Sequence, residues 1–167
     1  MIEYKYFRDV EKNAAFTDIP CEFCGSVENC LDGVYFEDGQ LDSICLKCFQ
    51  MKRARVVIPS FISSLIKENT LQKTKELSET PPVPWIQYNE WPVCCDDYLT
   101  YIGEWGQDEF NNSAKNGDGL TLFIEYLQDK LQKEKVQYLW ENLGSFSSAF
   151  VFECEKCGKR IAVVQEY

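Results

Sequence analysis

Three Cys-x-x-Cys pairs, Cys21/Cys24, Cys45/Cys48 and Cys154/Cys157, punctuate this chain, and an adjacent doublet, Cys94/Cys95, lies between the second and the third. Two intervening residues let a tight turn aim both sulfurs at one point, so each pair is half of a tetrahedral site for a thiolate-binding ion. The first two pairs, twenty residues apart, have the spacing of a zinc ribbon and predict one closed four-cysteine site. The third pair supplies only two ligands. Cys94 and Cys95 complete it most simply, which predicts a second site closed over a long stretch of sequence. Adjacent residues rarely both ligate one ion, so Cys30, expected to be a spare thiol, could replace either member of the doublet. Two structural zinc ions follow. A redox role would place a Cys-x-x-Cys in a βαβ pattern, which is missing around Cys21, and the nine cysteines cannot all pair as disulfides.

The chain has no histidine, which removes Ser/His/Asp and Cys/His catalytic arrangements and every histidine-ligated metal site. Seventeen Lys and Arg stand against 27 Asp and Glu, a formal charge of -10 over 167 residues. Such a field repels phosphate backbones and anionic membranes and attracts basic proteins. The first residues, MIEYKYFRDVEKNAAF, contain no apolar core of a signal peptide, and no run approaches the ~18 apolar residues of a membrane span. A cytoplasmic location without membrane contact is expected.

The periodicity predicts an α+β chain: a ribbon module over residues 1–58, and a helical and hairpin region over 59–167 packed as one unit with it. Gly33 to Cys45 alternates around Asp38-Gly39, a hairpin-turn dipeptide, so a strand pair should carry the first site. The basic stretch Lys52, Arg53 and Arg55 should continue a helix leaving Cys48. Ser60 reads as the N-cap of one amphipathic helix running towards Leu77, with Phe61, Ile62, Leu65 and Ile66 at helical spacing. Leu120 to Leu131 and Val136 to Leu143 give two helical stripes, or one kinked helix. Ala149–Phe152 and Ile161–Val164 should form a C-terminal hairpin bearing the Cys154/Cys157 knuckle, with Gly158 at its turn.

Between Glu76 and Ala114 there are eight acidic residues and no basic one, interleaved with aromatic rings. Such a stretch is either a solvated acidic loop over core aromatics or an acidic, aromatic-rimmed patch that docks a basic protein. Trp91, Asp96, Asp97, Tyr101, Glu104, Trp105, Asp108 and Glu109 are the candidate partner-binding residues, and exposure of the rings decides between the two.

PCEFCG, SICLKC, the Trp-rich stretch WIQYNEWPVCCDDYLTYIGEWG and the terminal VFECEKCGK together resemble the CbrC family of small bacterial proteins. That resemblance implies colicin tolerance or an immunity-like role, with a basic toxin domain as partner, and no catalysis. The alternative is a regulatory accessory protein or a nucleic-acid-binding ribbon using Lys47, Lys52, Arg53 and Arg55, the latter disfavoured by the net charge. An enzyme is not expected: a four-thiolate zinc has no open position, the adjacent carboxylates Asp96 and Asp97 point apart, and no Walker loop, GxGxxG turn or nucleophile elbow occurs.

Overall fold

Short strands need something other than their own length to hold them, and the N-terminal third is built from such strands. In the computed structural model, which describes residues 2–167, a single helical turn α1 (Val10–Asn13) precedes β1 (Phe16–Thr17), β2 (Cys30–Asp32) and β3 (Ser43–Cys45). They form a three-stranded antiparallel sheet in the order β1-β2-β3, with Cys30 opposite Cys45. The hairpin expected around Asp38-Gly39 therefore begins earlier. Gly33 turns the chain into a 3₁₀ helix (Gly33–Phe36) whose first turn is capped by the Asp32 carboxylate on Val34 N–H, and a Cβ at Gly33 would collide with the backbone of Leu41. Helix α2 (Leu46–Gln50) leaves β3 directly, capped by Cys45. It stops before the basic stretch because Lys52 adopts a left-handed backbone (φ 61°), and Lys52 and Arg55 both pair with Glu79.

The single helix expected from Ser60 to Leu77 is two: α3 (Ser60–Ser63) and α4 (Thr70–Ser78). Asn69 is left-handed at the break, and the free N–H groups of Lys67 and Glu68 donate to the Asp96 carboxylate at 2.7 and 3.1 Å. Ile62 and Ile66 face the core, whereas Phe61 and Leu65 are left outside. A two-residue hairpin, β4 (Val93–Cys94) with β5 (Asp97–Tyr98), leads into β6 (Thr100–Trp105). Helices α5 (Gln107–Ser113), α6 (Gly119–Tyr126) and α7 (Lys133–Glu141) follow, so the two late apolar stripes are separate helices.

The C-terminal hairpin is β7 (Ser147–Glu153) with β8 (Arg160–Glu166), paired from Ser147↔Glu166 to Glu153↔Arg160. Its other edge carries β6, giving a sheet of order β6-β7-β8 with a bulge between Tyr101 and Gly103. Gly103 takes φ 140° there, which a side chain would resist. The N-terminal arm pairs with the far edge of β6: Tyr101 N–H donates to the Tyr6 carbonyl and Arg8 N–H to that of Tyr101. β7 is buried on both faces from Ser147 to Phe152.

Three apolar clusters result. Phe150 and Phe152 meet Trp85, Trp91 and Tyr101 on one face of the sheet. Phe110, Phe123 and Trp140 fill the other. Leu31, Phe36, Ile44 and Phe49 make the ribbon core, and Tyr4, Ala14, Leu46 and Ile58 pack against both it and the first cluster. No helix among the described residues is long and apolar enough to cross a membrane.

Asp97 anchors the arm to this core, accepting from Tyr6 OH at 2.7 Å, Lys5 Nζ at 2.9 Å and its neighbour's Tyr98 N–H at 2.9 Å. Burial alone would raise its pKa, but the hydrogen bonds from Lys5 and Tyr6 outweigh that and hold the carboxyl below its ordinary value. Asp97→Asn should therefore cost about 1–3 kcal/mol at neutral pH in urea unfolding. The contribution is present above the unfolded value of about 3.9 and fades as pH falls through the lower folded value, so the gap between the two proteins should narrow as pH drops below about 4.

Candidate metal centres

The first knuckle is a closed turn. Gly25 N–H donates to the Cys21 carbonyl at 2.7 Å and Cys21 N–H to that of Ser26 at 2.8 Å, with Gly25 at φ 75°. The Cys154 knuckle repeats this: Gly158 N–H to Cys154 carbonyl at 2.8 Å, Cys154 N–H to Lys159 carbonyl at 2.8 Å, and Gly158 at φ 75°. In each, the first cysteine is buried and the second exposed. The same five-residue device thus sits at the tip of the ribbon and at the tip of the β7–β8 hairpin. A glycine follows each pair because only a residue free of Cβ takes that backbone readily.

The sulfurs of Cys21, Cys24, Cys45 and Cys48 lie within 4.8 Å of one another, as do those of Cys94, Cys95, Cys154 and Cys157. An ion ~2.3 Å from four tetrahedral sulfurs sets them about 3.8 Å apart. The Sγ–Sγ distances are 3.7 Å for Cys24–Cys45, 3.8 Å for Cys94–Cys95 and 3.6 Å for Cys94–Cys157. Both groups fit a tetrathiolate ion, and Cys48 N–H already donates to Cys45 Sγ at 3.4 Å. Cys30 belongs to neither group; its thiol donates to the Ser26 carbonyl at 3.1 Å.

Electrostatics point the same way. At Cys48 burial and then the neighbouring sulfurs of Cys24, Cys45 and Cys21 push the thiol well up; at Cys94 burial and then Cys157, Cys154 and Cys95 do the same. Burial works against ionisation at Cys21 too, but backbone N–H donors outweigh it and its pKa falls, while the backbone at Lys159 lowers that of Cys157. In the first group Cys21 is thus eased towards ionisation while Cys45 and Cys48 resist it, and in the second Cys157 is eased while Cys94 and Cys95 resist. A divalent cation reverses that resistance by neutralising the crowded thiolates.

Adjacent ligands are possible at the second centre because of its turn. Cys95 (φ 53°) and Asp96 (φ 55°) are the two central residues between paired Cys94 and Asp97, both left-handed as in a type I′ hairpin. That backbone swings the Cys95 sulfur round to the side of its neighbour. Asp96 holds the turn: besides accepting from Lys67 and Glu68, its carbonyl takes Lys73 Nζ at 2.6 Å and its carboxylate lies 3.5 Å from the same amine. Lys156 Nζ donates to the Cys95 carbonyl at 3.1 Å. Nothing but the Cys-Cys-Asp-Asp run itself signals this supporting role at the level of sequence. Asp96→Ala should weaken the second metal equivalent roughly tenfold or more in a chelator competition, and Asp96→Asn, which tolerates the left-handed backbone, less.

Over residues 1–165 the chain matches the profile of the uncharacterised protein family UPF0167. The chain belongs to that family. This assignment replaces the resemblance to the CbrC family drawn from the cysteine and tryptophan motifs. No curated protein and no solved structure matches the chain.

From Trp91 to Glu109 the acidic, aromatic stretch does not form an exposed aromatic-rimmed patch. Trp91 is buried and donates its indole N–H to the Leu99 carbonyl at 2.8 Å, and Tyr101 is buried in β6. Asp97 is committed to Lys5 and Tyr6, and Asp96 to the turn. Trp105 is half-buried against Phe110 and beneath Arg160. Glu104 accepts from Ser148 Oγ at 2.6 Å, and Glu109 caps α5 through Gly106 N–H. Asp108 is exposed on α5 and has no such partner among the described residues. Part of the cause is the third strand: pairing β6 with β7 carries Tyr101 into the core.

Proposed function

We propose that this UPF0167 member is a zinc-stapled, non-catalytic protein that binds a basic protein partner. The observation that carries the metal half is the pair of four-sulfur groups at tetrahedral spacing. Protein sulfur would fill all four positions of each ion, leaving none for substrate or water. Zinc suits a site whose only donors are thiolates and whose role is to hold strands of two or three residues together. The charge supports the partner half: eight thiolates against two divalent ions add four negative charges to the formal -10, a field that steers a cationic protein. The toxin role went with the CbrC resemblance, so the partner is defined by its chemistry alone. The nucleic-acid reading loses ground because Lys52 and Arg55 of its basic stretch are spent on Glu79.

Elemental analysis of the purified chain should give two zinc per molecule and a colourless protein, with chelation lowering the melting temperature. One zinc or none, or a coloured iron form, would overturn the assignment.

A further inference from the structure

The break between α3 and α4 leaves two large apolar side chains unused by the core. Phe61 and Leu65 are 57% and 54% exposed, one helical turn apart, and Tyr88 stands across from them at 54%. Together with Trp91, Pro92 and Val93 they line an open groove of about 500 Å³. Isolated exposed apolar residues need no explanation, but three that share one concave surface mark a site that something covers.

The groove is built rather than incidental. Its floor, Trp91 to Val93, runs directly into Cys94 of the second metal centre. Its Tyr88 wall is held by Gln165, which is buried: the amide oxygen accepts from Ile86 and Gln87 N–H at 2.9 and 3.0 Å, and the amide nitrogen donates to the Tyr88 carbonyl at 2.7 Å and to Glu90 at 2.8 Å. Glu90 and Asp129 stand among the lining residues and none of these is basic. Lys135, on the neighbouring helix α7, is already paired with Glu166 at 2.6 Å. A second copy of this chain would bring like charge to an acidic rim, so self-association through the groove is disfavoured.

We infer that this groove is the docking site for a basic amphipathic segment of another protein, whose apolar side chains seat against Phe61, Leu65 and Tyr88 while its Lys or Arg side chains meet Glu90 and Asp129. The inference rests on the basic-partner reading above and gives it a place. It takes Tyr88, Glu90 and Trp91 from the acidic, aromatic stretch and uses none of the candidate residues on β6 and α5.

The test uses the zinc-loaded full chain and a fluorescent synthetic Leu/Lys amphipathic peptide, with a Leu/Gln peptide of the same pattern beside it. The double variant Phe61→Ala/Leu65→Ala should weaken the Leu/Lys peptide about tenfold or more, as truncation of anchor residues does, whereas Val34→Ala, at a still more exposed apolar residue on the ribbon, should leave binding unchanged. Both variants should keep the parent's metal content and melting temperature, because the altered side chains lie outside the core. The Leu/Lys peptide should bind at least about tenfold more tightly than the Leu/Gln peptide and lose affinity as salt rises. A preference for Leu/Lys that survives the double variant overturns the groove and leaves the basic-partner reading standing. Equal binding of the two peptides overturns both. A concentration-dependent dimer abolished by Phe61→Ala/Leu65→Ala would overturn the inference by showing that a second copy is the occupant.

Discussion

Cys45→Ser should cost the protein one of the two zinc ions proposed for it and unfold the ribbon. Cys45 ends β3, caps α2 and lies opposite Cys30, so its sulfur joins the sheet, the helix and the knuckle at a single ion. The strands it secures are two or three residues long and their core holds Leu31, Phe36, Leu41, Ile44, Phe49 and Val56. A structural zinc contributes about 10–16 kcal/mol of apparent binding free energy, as much as a whole domain's net stability of about 5–15 kcal/mol. So small an apolar core cannot replace it. Hydrogen exchange should show amides of β1 to β3 and α2 exchanging as in an unfolded chain. Amides of β7, in the longer sheet, should stay protected. A variant that retains two metal ions, or a ribbon that stays protected with one, would contradict this.

The second large effect is Phe152→Ala, expected to cost about 3–5 kcal/mol in denaturant midpoint analysis. Phe152 is fully buried near the end of β7, 5.8 Å from the ring of Trp85 and 5.3 Å from those of Trp91 and Tyr101. Four aromatic rings converge there, and such large side chains cannot collapse into the space without leaving their rotamers. Metal content should stay at two, since the knuckle at Cys154 is closed by its own backbone hydrogen bonds. The pair of variants thus separates the proposed metal staple in the ribbon from the aromatic packing in the sheet.

What the sequence made legible was set by local chemistry. Cys-x-x-Cys-Gly specifies its own turn, so both knuckles, and the ribbon site as a whole, could be read from spacing. The C-terminal hairpin could be read from two apolar runs flanking such a turn. Long-range pairing could not. Nothing within Thr100 to Trp105 says that it will be the third strand of that hairpin's sheet, and without that strand its acids and rings look like surface. The α3–α4 break was hidden for a similar reason: the apolar period through Phe61, Ile62, Leu65 and Ile66 is helical, but the partner that captures the N–H groups of Lys67 and Glu68 is Asp96, 28 or 29 positions away. The doublet's left-handed turn is likewise stabilised from outside, by Lys73 and Lys156. Backbone groups are satisfied wherever the fold brings an acceptor, and sequence periodicity does not record where that is.

X-ray absorption at the zinc edge of the purified protein addresses the central claim most directly, because it counts the atoms bound to the metal. Two ions each held by four cysteines predict a single shell of four sulfurs at ~2.3 Å per zinc, with no nitrogen or oxygen neighbour. A shell containing oxygen, or fewer than four sulfurs on average, would mean that at least one cage is open, and that the metal is not simply a staple.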